Sequence, residues 1–105
     1  MLRIHDDMLD AIAMMPPIVG AIEKRDKDLA SQLRRAASSV ALNIAEGSGS
    51  FAGVRQARYR TALGSARETL SCLQVAERFR YIAPVPRALV SIMNRVIGTL
   101  VRVAA

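Results

Sequence analysis

The sequence predicts an all-α fold: a single domain over residues 1–105, built as an antiparallel up-and-down four-helix bundle. Three observations carry that expectation. Prolines, glycines and a charged cluster cut the chain into four segments, each with apolar residues returning every three or four positions. No segment alternates apolar and polar residues as a half-buried strand would. The connections are short, which sets successive helices antiparallel.

In the first segment Ile4, Met8, Ala11, Met15, Ile18 or Val19, and Ile22 form one apolar stripe. Pro16 and Pro17 kink or split this helix, because proline lacks the backbone donor and crowds the preceding turn. Asp26 or Asp28 then caps a second helix, from about Asp28 to Glu46, whose core face is Leu29, Leu33, Ala36, Val40 and Ile44. Ala30, Arg34, Ser38, Ala41 and Ala45 on its flank make a mostly small-residue strip for close helix approach. Gly47-Ser48-Gly49-Ser50 is expected to end that helix by glycine capping, with Ser50 as N-cap of the next. The third helix, about Phe51 to Tyr81, carries two rows. Tyr59, Leu63, Ala66, Leu70 and Leu73 form one; Thr61, Ser65, Glu68, Cys72, Val75 and Phe79 form another on nearly the opposite face, so contact on two sides is expected. Pro84 and Pro86 stop it. The fourth helix, Arg87 to Val103, spreads apolar residues over half its circumference and confines Ser91, Arg95, Gly98 and Arg102 to a narrow arc. So wide an arc suggests burial beyond one contact within the chain.

Fifteen Lys and Arg against nine Asp and Glu leave a net charge of +6, and 51% of residues are hydrophobic. A chain of this length buries roughly two-thirds of the surface its unfolded form exposes. A mean hydropathy of +0.21 therefore exceeds what a monomer needs, and the surplus is read as an interface between copies of the chain. The longest apolar run, Ala11 to Ile22, is short of a membrane span and holds two prolines. Arg3 followed by Asp6, Asp7 and Asp10 does not read as a signal peptide, and the lone Cys72 has no partner for an internal disulfide. A cytoplasmic location is expected, without membrane contact.

Most enzyme chemistry is excluded by what the chain lacks. Nucleophilic catalysis by a Ser-His or Cys-His pair needs an imidazole at the nucleophile, and the only histidine is His5. His5 with Asp6, Asp7 and Asp10 invites a metal reading, but successive helix positions diverge and no second histidine or cysteine completes a set; a solvated, helix-capping role is the alternative. Cys72 reads as a packing thiol or a redox centre. The Gly47-Ser48-Gly49 turn, with Arg55 and Arg58 nearby, suits either a helix hairpin or an isolated anion; it has neither the dinucleotide fingerprint nor the P-loop ending. No cofactor or metal is expected. Glu46 and Glu68 form a conceivable acid–base pair, against which stands a structural polar network of Arg34, Arg35, Asn43, Glu46, Ser65 and Glu68.

Charge distribution says more. Residues 1–28 carry four basic and six acidic side chains, a net of −2; residues 29–105 carry eleven and three, a net of +8. Thirteen of the fifteen cations are arginine, the side chain whose planar fork matches phosphate and carboxylate. On the third helix Arg60, Arg67 and Arg78 share a stripe with Gln74. Together with Arg55 and Arg58 they are the candidate nucleic-acid contacts, the alternative being a solubilising face or ion pairs with a neighbouring copy. No zipper or helix-turn-helix spacing is present, and four aromatics are too few for a base-stacking platform, so sequence-specific readout is not expected.

Ser31-Gln32-Leu33-Arg34-Arg35-Ala36-Ala37-Ser38-Ser39-Val40, followed by Asn43-Ile44-Ala45-Glu46-Gly47-Ser48-Gly49 and later by Ala62-Leu63-Gly64-Ser65-Ala66-Arg67-Glu68-Thr69-Leu70, resembles the bacterial four-helix-bundle family that includes proteins encoded within intervening sequences of 23S ribosomal RNA genes. The resemblance implies an antiparallel four-helix bundle assembling as a ring, pentameric in characterised relatives. It also implies likeness to the accessory protein of diversity-generating retroelements, a basic pentamer that binds nucleic acid and the reverse transcriptase. The chain departs from common members at Pro16-Pro17 and at Ser50, where an arginine is usual. The resulting expectation is a non-enzymatic homo-oligomer that offers arginines to RNA or DNA without strong sequence specificity. The alternative is an assembly or adaptor module whose partner is another protein.

Overall fold

The computed structural model describes residues 2–105, and among them the helices are α1 (Arg3–Ala13), α2 (Pro16–Glu23), α3 (Lys27–Ser48), α4 (Ala52–Arg78) and α5 (Arg87–Val103). They pack as a helical bundle. The first predicted helix is two, split as the prolines require. Met14 and Met15 close the end of α1 with bonds to Ala11 and Ile12, while Pro16 and Pro17 occupy the first turn of α2, where a missing N–H breaks no helical bond. The expected stripe holds, with Ile4, Met8, Ala11, Met15 and Ile22 buried.

Asp26, of the two candidate caps, starts α3: its Oδ1 accepts from the Leu29 N–H at 2.9 Å. The predicted core face of α3 is buried along its length, and Ala30, Ala37 and Ala41 join it, whereas Arg34 and Ser38 on the same flank are exposed. The end of α3 differs from expectation. The helix continues through Gly47 to Ser48, and Gly49 has φ −94°, so no left-handed glycine caps it. Gly47 serves close approach instead: a Cβ there would lie 2.6 Å from the ring of Tyr59. Ser50 is not the N-cap of α4, since its hydroxyl donates back to the Glu46 carbonyl at 2.6 Å and Phe51 takes the cap position without a side-chain bond.

One face of α4, Tyr59, Ala62, Ala66, Thr69, Leu73 and Ala76, packs into the core, with Leu63 and Leu70 half-buried beside it. The second predicted row is largely exposed. Cys72 is buried and Ser65 half-buried, but Thr61, Glu68, Val75 and Phe79 face solvent, because within this chain α4 is covered only on the flanks that meet α3 and α5. The buried hydroxyl of Thr69 is satisfied by the Ser65 carbonyl at 2.8 Å.

After Arg78 the chain turns by a Schellman motif. The Arg80 N–H bonds the Glu77 carbonyl and the Tyr81 N–H bonds the Ala76 carbonyl, both at 2.9 Å, with Arg80 left-handed at φ 61°. Glu77 then holds the loop through the Val85 N–H at 2.7 Å, and Pro86 leads into α5. Leu89, Met93, Val96 and Leu100 of α5 are buried, and most of its remaining apolar residues are half-buried. Its wide apolar arc meets more than one helix of the chain, since α5 packs against both α4 and α1, and Val101 on the arc is exposed.

Candidate nucleic-acid interface

Spacings of seven, seven and four bring Arg60, Arg67, Gln74 and Arg78 onto one side of α4. At 1.5 Å per residue the stripe runs about 27 Å along the helix. All four side chains are exposed. Arg60 sits where α4 borders the end of α5, its Nε donating to the Ala104 carbonyl at 3.2 Å. Arg67 and Arg78 are exposed and make no ion pair or hydrogen bond among the described residues, so their guanidinium donors are available to an outside partner.

Arg55 and Arg58 do not join this stripe. Arg55 folds back to clip the α3–α4 connection, donating to the Ser50 carbonyl at 3.0 Å. Arg58 lies on the α3 flank and pairs with Glu46 at 3.1 Å, both side chains about half exposed. Such a pair contributes little stability but occupies the cation.

The polar residues of α3 divide in the same way. Asn43 donates to the Ser39 carbonyl at 2.9 Å and to its hydroxyl at 3.1 Å, and Ser39 shares a 2.7 Å bond with Ser65 across the α3–α4 contact. Ser48 and Tyr59 add a second bridge at 3.1 Å. Ser39, Ser48 and Tyr59 are network members that sequence reasoning missed; nothing in their spacing marks them apart from the rest of the interhelical face. Arg34 turns the other way, to Glu23 of α2 at 3.4 Å. Arg35 and Glu68 are exposed and stand outside the network among the described residues. Glu46 and Glu68 are not brought together as an acid–base pair, since Glu46 is engaged by Arg58 and Glu68 lies on the outer side of α4.

At the other end of the chain Asp7 takes the Arg95 guanidinium at 3.1 Å, tying α1 to α5, and His5 has only Asp6 within 3.9 Å. Among the described residues no cluster of three or more His, Cys, Asp or Glu is placed to hold a metal ion. Burial, and after it the charge of Glu68, pushes the Cys72 thiol above its ordinary pKa, which disfavours the reactive thiolate.

Residues 18–99 match the family described as 23S rRNA-intervening sequence protein, a span that takes in both characteristic stretches and the whole arginine stripe. The chain belongs to that family. A crystal structure of a protein with unknown function from the S23 ribosomal protein family of Bacteroides thetaiotaomicron has the same fold, with a TM-score of 0.80 at 20% identity over 96% of this chain and 97% of that one. No curated protein matches the sequence. In family terms, two of the residues that carry the resemblance sit at the α3–α4 contact: Gly47 leaves room for the Tyr59 ring, and Ser65 bonds Ser39, which Asn43 holds in turn. Among the described residues no helix is long and apolar enough to cross a membrane.

One arrangement of charge and aromatic rings near the stripe escaped the sequence reading. The rings of Phe79 and Tyr81 stack, with centroids 5.3 Å apart and planes 13° from parallel, and the Arg25 guanidinium lies 5.7 Å over Tyr81. The alternation Arg78-Phe79-Arg80-Tyr81 was the available signal.

Proposed function

We propose that this protein is a non-enzymatic, self-associating bundle that presents arginines to RNA or DNA without strong base specificity. One observation carries the reading: Arg60, Arg67 and Arg78 form an exposed stripe about 27 Å long on a helix with few acids, and two of them lack a partner among the described residues. Counting α1 and α2 as one arm gives the up-and-down four-helix layout. The family resemblance extends this to a ring, pentameric as in characterised relatives, working in the cytoplasm, with a reverse transcriptase as one candidate protein partner. The exposed start of α4, with Val54, is where copies would meet.

A second reading, an adaptor whose partner is a protein, is favoured by Leu42 and Phe51, which are 62% and 91% exposed. The two are separated by titrating nuclease-treated protein into labelled RNA and DNA hairpins, beside a variant with Arg60, Arg67 and Arg78 all changed to Ala. Nucleic-acid binding gives affinity that falls steeply with salt and is lost in the variant; the adaptor is indifferent to both. Light scattering tests the assembly separately, since a particle of one 11.4 kDa chain at micromolar concentration overturns it.

A further inference from the structure

We propose that the turn joining α4 to α5 is a stacking platform for an unpaired nucleotide base, with Phe79 as the platform and Arg78 and Arg80 holding the adjoining phosphates. The inference rests on the nucleic-acid reading above and adds the form of the ligand: single-stranded.

The platform is built by the backbone. The Schellman turn at Phe79–Tyr81 reverses the chain so that the Tyr81 ring comes to lie against the Phe79 ring. Tyr81 is half-buried and is held by the Arg25 guanidinium over its ring, which fixes the lower member of the stack. Phe79 is 64% exposed although one of its faces is covered by Tyr81, so the opposite face is open to solvent. A rigid, presented ring face is what a base stacks on, and every base has a matching face.

Charge selects a polyanion over an apolar partner. Arg78 and Arg80 flank Phe79 in sequence, and both are exposed. The one acid between Arg67 and the end of the turn apart from Glu68, Glu77, is half-buried and spent on the Val85 N–H. Arg80 also occupies a left-handed position that glycine fills without strain, so the turn itself gains nothing from an arginine there. A function for its side chain accounts for the choice.

Continuity adds the third argument. The stripe from Arg60 through Arg67 and Gln74 ends at Arg78, next to the ring. Beside it lies an open hollow of about 530 Å³ lined by Ser71, Gln74, Val75, Glu77, Arg78 and Phe79, within the range of ordinary small-ligand clefts. Ser71 and Gln74 offer hydrogen-bonding groups to a base edge, and α4 offers a track for the backbone. A duplex keeps its base faces within the stack and cannot use the platform except at its ends.

The test uses three fluorescent probes of equal length: oligo(dT), the same backbone with abasic sites, and a blunt duplex. Wild type is compared with Phe79→Ala, Phe79→Trp and Arg80→Gly, with circular dichroism and light scattering on each. The platform requires that oligo(dT) bind wild type more tightly than the abasic strand. Phe79→Ala then weakens oligo(dT) binding about 5- to 100-fold and leaves abasic binding unchanged. Phe79→Trp restores affinity, and because the chain has no other tryptophan its emission reports stacking directly, by quenching with oligo(dT) and not with the abasic strand. Arg80→Gly weakens binding without lowering the melting temperature. Equal binding of oligo(dT) and abasic strands, both untouched by Phe79→Ala, overturns the platform while the arginine reading stands. No binding at low salt of any of these probes or of oligo(U) overturns both. A change in assembly mass in folded Phe79→Ala, with affinity unaltered, assigns the ring to a contact between copies and also overturns the platform.

Discussion

Gly47 and Gly64 both lie inside helices and within the stretches that carry the family resemblance, yet their surroundings predict opposite responses to the same substitution. Gly47→Ala drives a methyl group to 2.6 Å from the Tyr59 ring, so the ring and its bond to Ser48 must shift. Overpacking of this kind costs about 1–3 kcal/mol, to be read from urea denaturation. Gly64→Ala meets nothing within 4 Å in the single chain, and a mid-helix glycine is about 1 kcal/mol less favourable than alanine. The same titration should therefore show Gly64→Ala unchanged or stabilised by up to about 1 kcal/mol; equal losses at both sites would contradict the packing described for Gly47. Cys72 makes a prediction in pH. Its thiol holds its proton more tightly in the folded chain than in the unfolded one, chiefly through burial and then through Glu68. The stability it contributes is present below the ordinary thiol pKa of 9.0 and is lost as pH rises beyond it. Denaturation midpoints of wild type should fall from pH 8 to pH 10 more than those of Cys72→Ala.

Helix starts and stops follow local chemistry, and that is why most of them were legible. Asp26 before an apolar run, two prolines in sequence and a proline-flanked valine each act through their own backbone and nearest neighbours, and α5 begins and ends where the pattern places it. Asp26→Ala should remove about 1 kcal/mol, read as a lower melting temperature, because the Leu29 N–H loses its acceptor. The missed features depend on which partner a residue finds once the chain is folded. Gly47 looks like a helix stop until Tyr59 lies against it, and Ser50 looks like a cap until its hydroxyl finds Glu46 behind it. The second row of α4 reads as a packed face because Cys72, Val75 and Phe79 have the right spacing, but spacing does not reveal which flank α3 and α5 cover. For the site, the arginine stripe was visible as a period of seven. Arg55 and Arg58 were grouped with it by nearness in sequence, and only the fold shows that they turn to Ser50 and Glu46.

At the scale of the whole molecule the chain separates its charges. The acidic first 28 residues use Asp7 to bind Arg95 and Glu23 to bind Arg34, while α4 keeps Arg67 and Arg78 free among the described residues. The bundle measures 42 × 24 × 20 Å, so one stripe of about 27 Å spans more than half its length. A surface of that extent engages several phosphates at once, and its binding should carry the signature of counterion release. The central claim is tested by the slope of log affinity against log salt for wild type and for the variant with Arg60, Arg67 and Arg78 changed to Ala, on one RNA hairpin. With each lost phosphate contact lowering the slope by about 0.9 on a duplex stem, the account predicts a wild-type slope of −3 or steeper that becomes shallower by about 2 to 3 units in the variant. Equal slopes in the two proteins, or no binding by either at low salt, would contradict it.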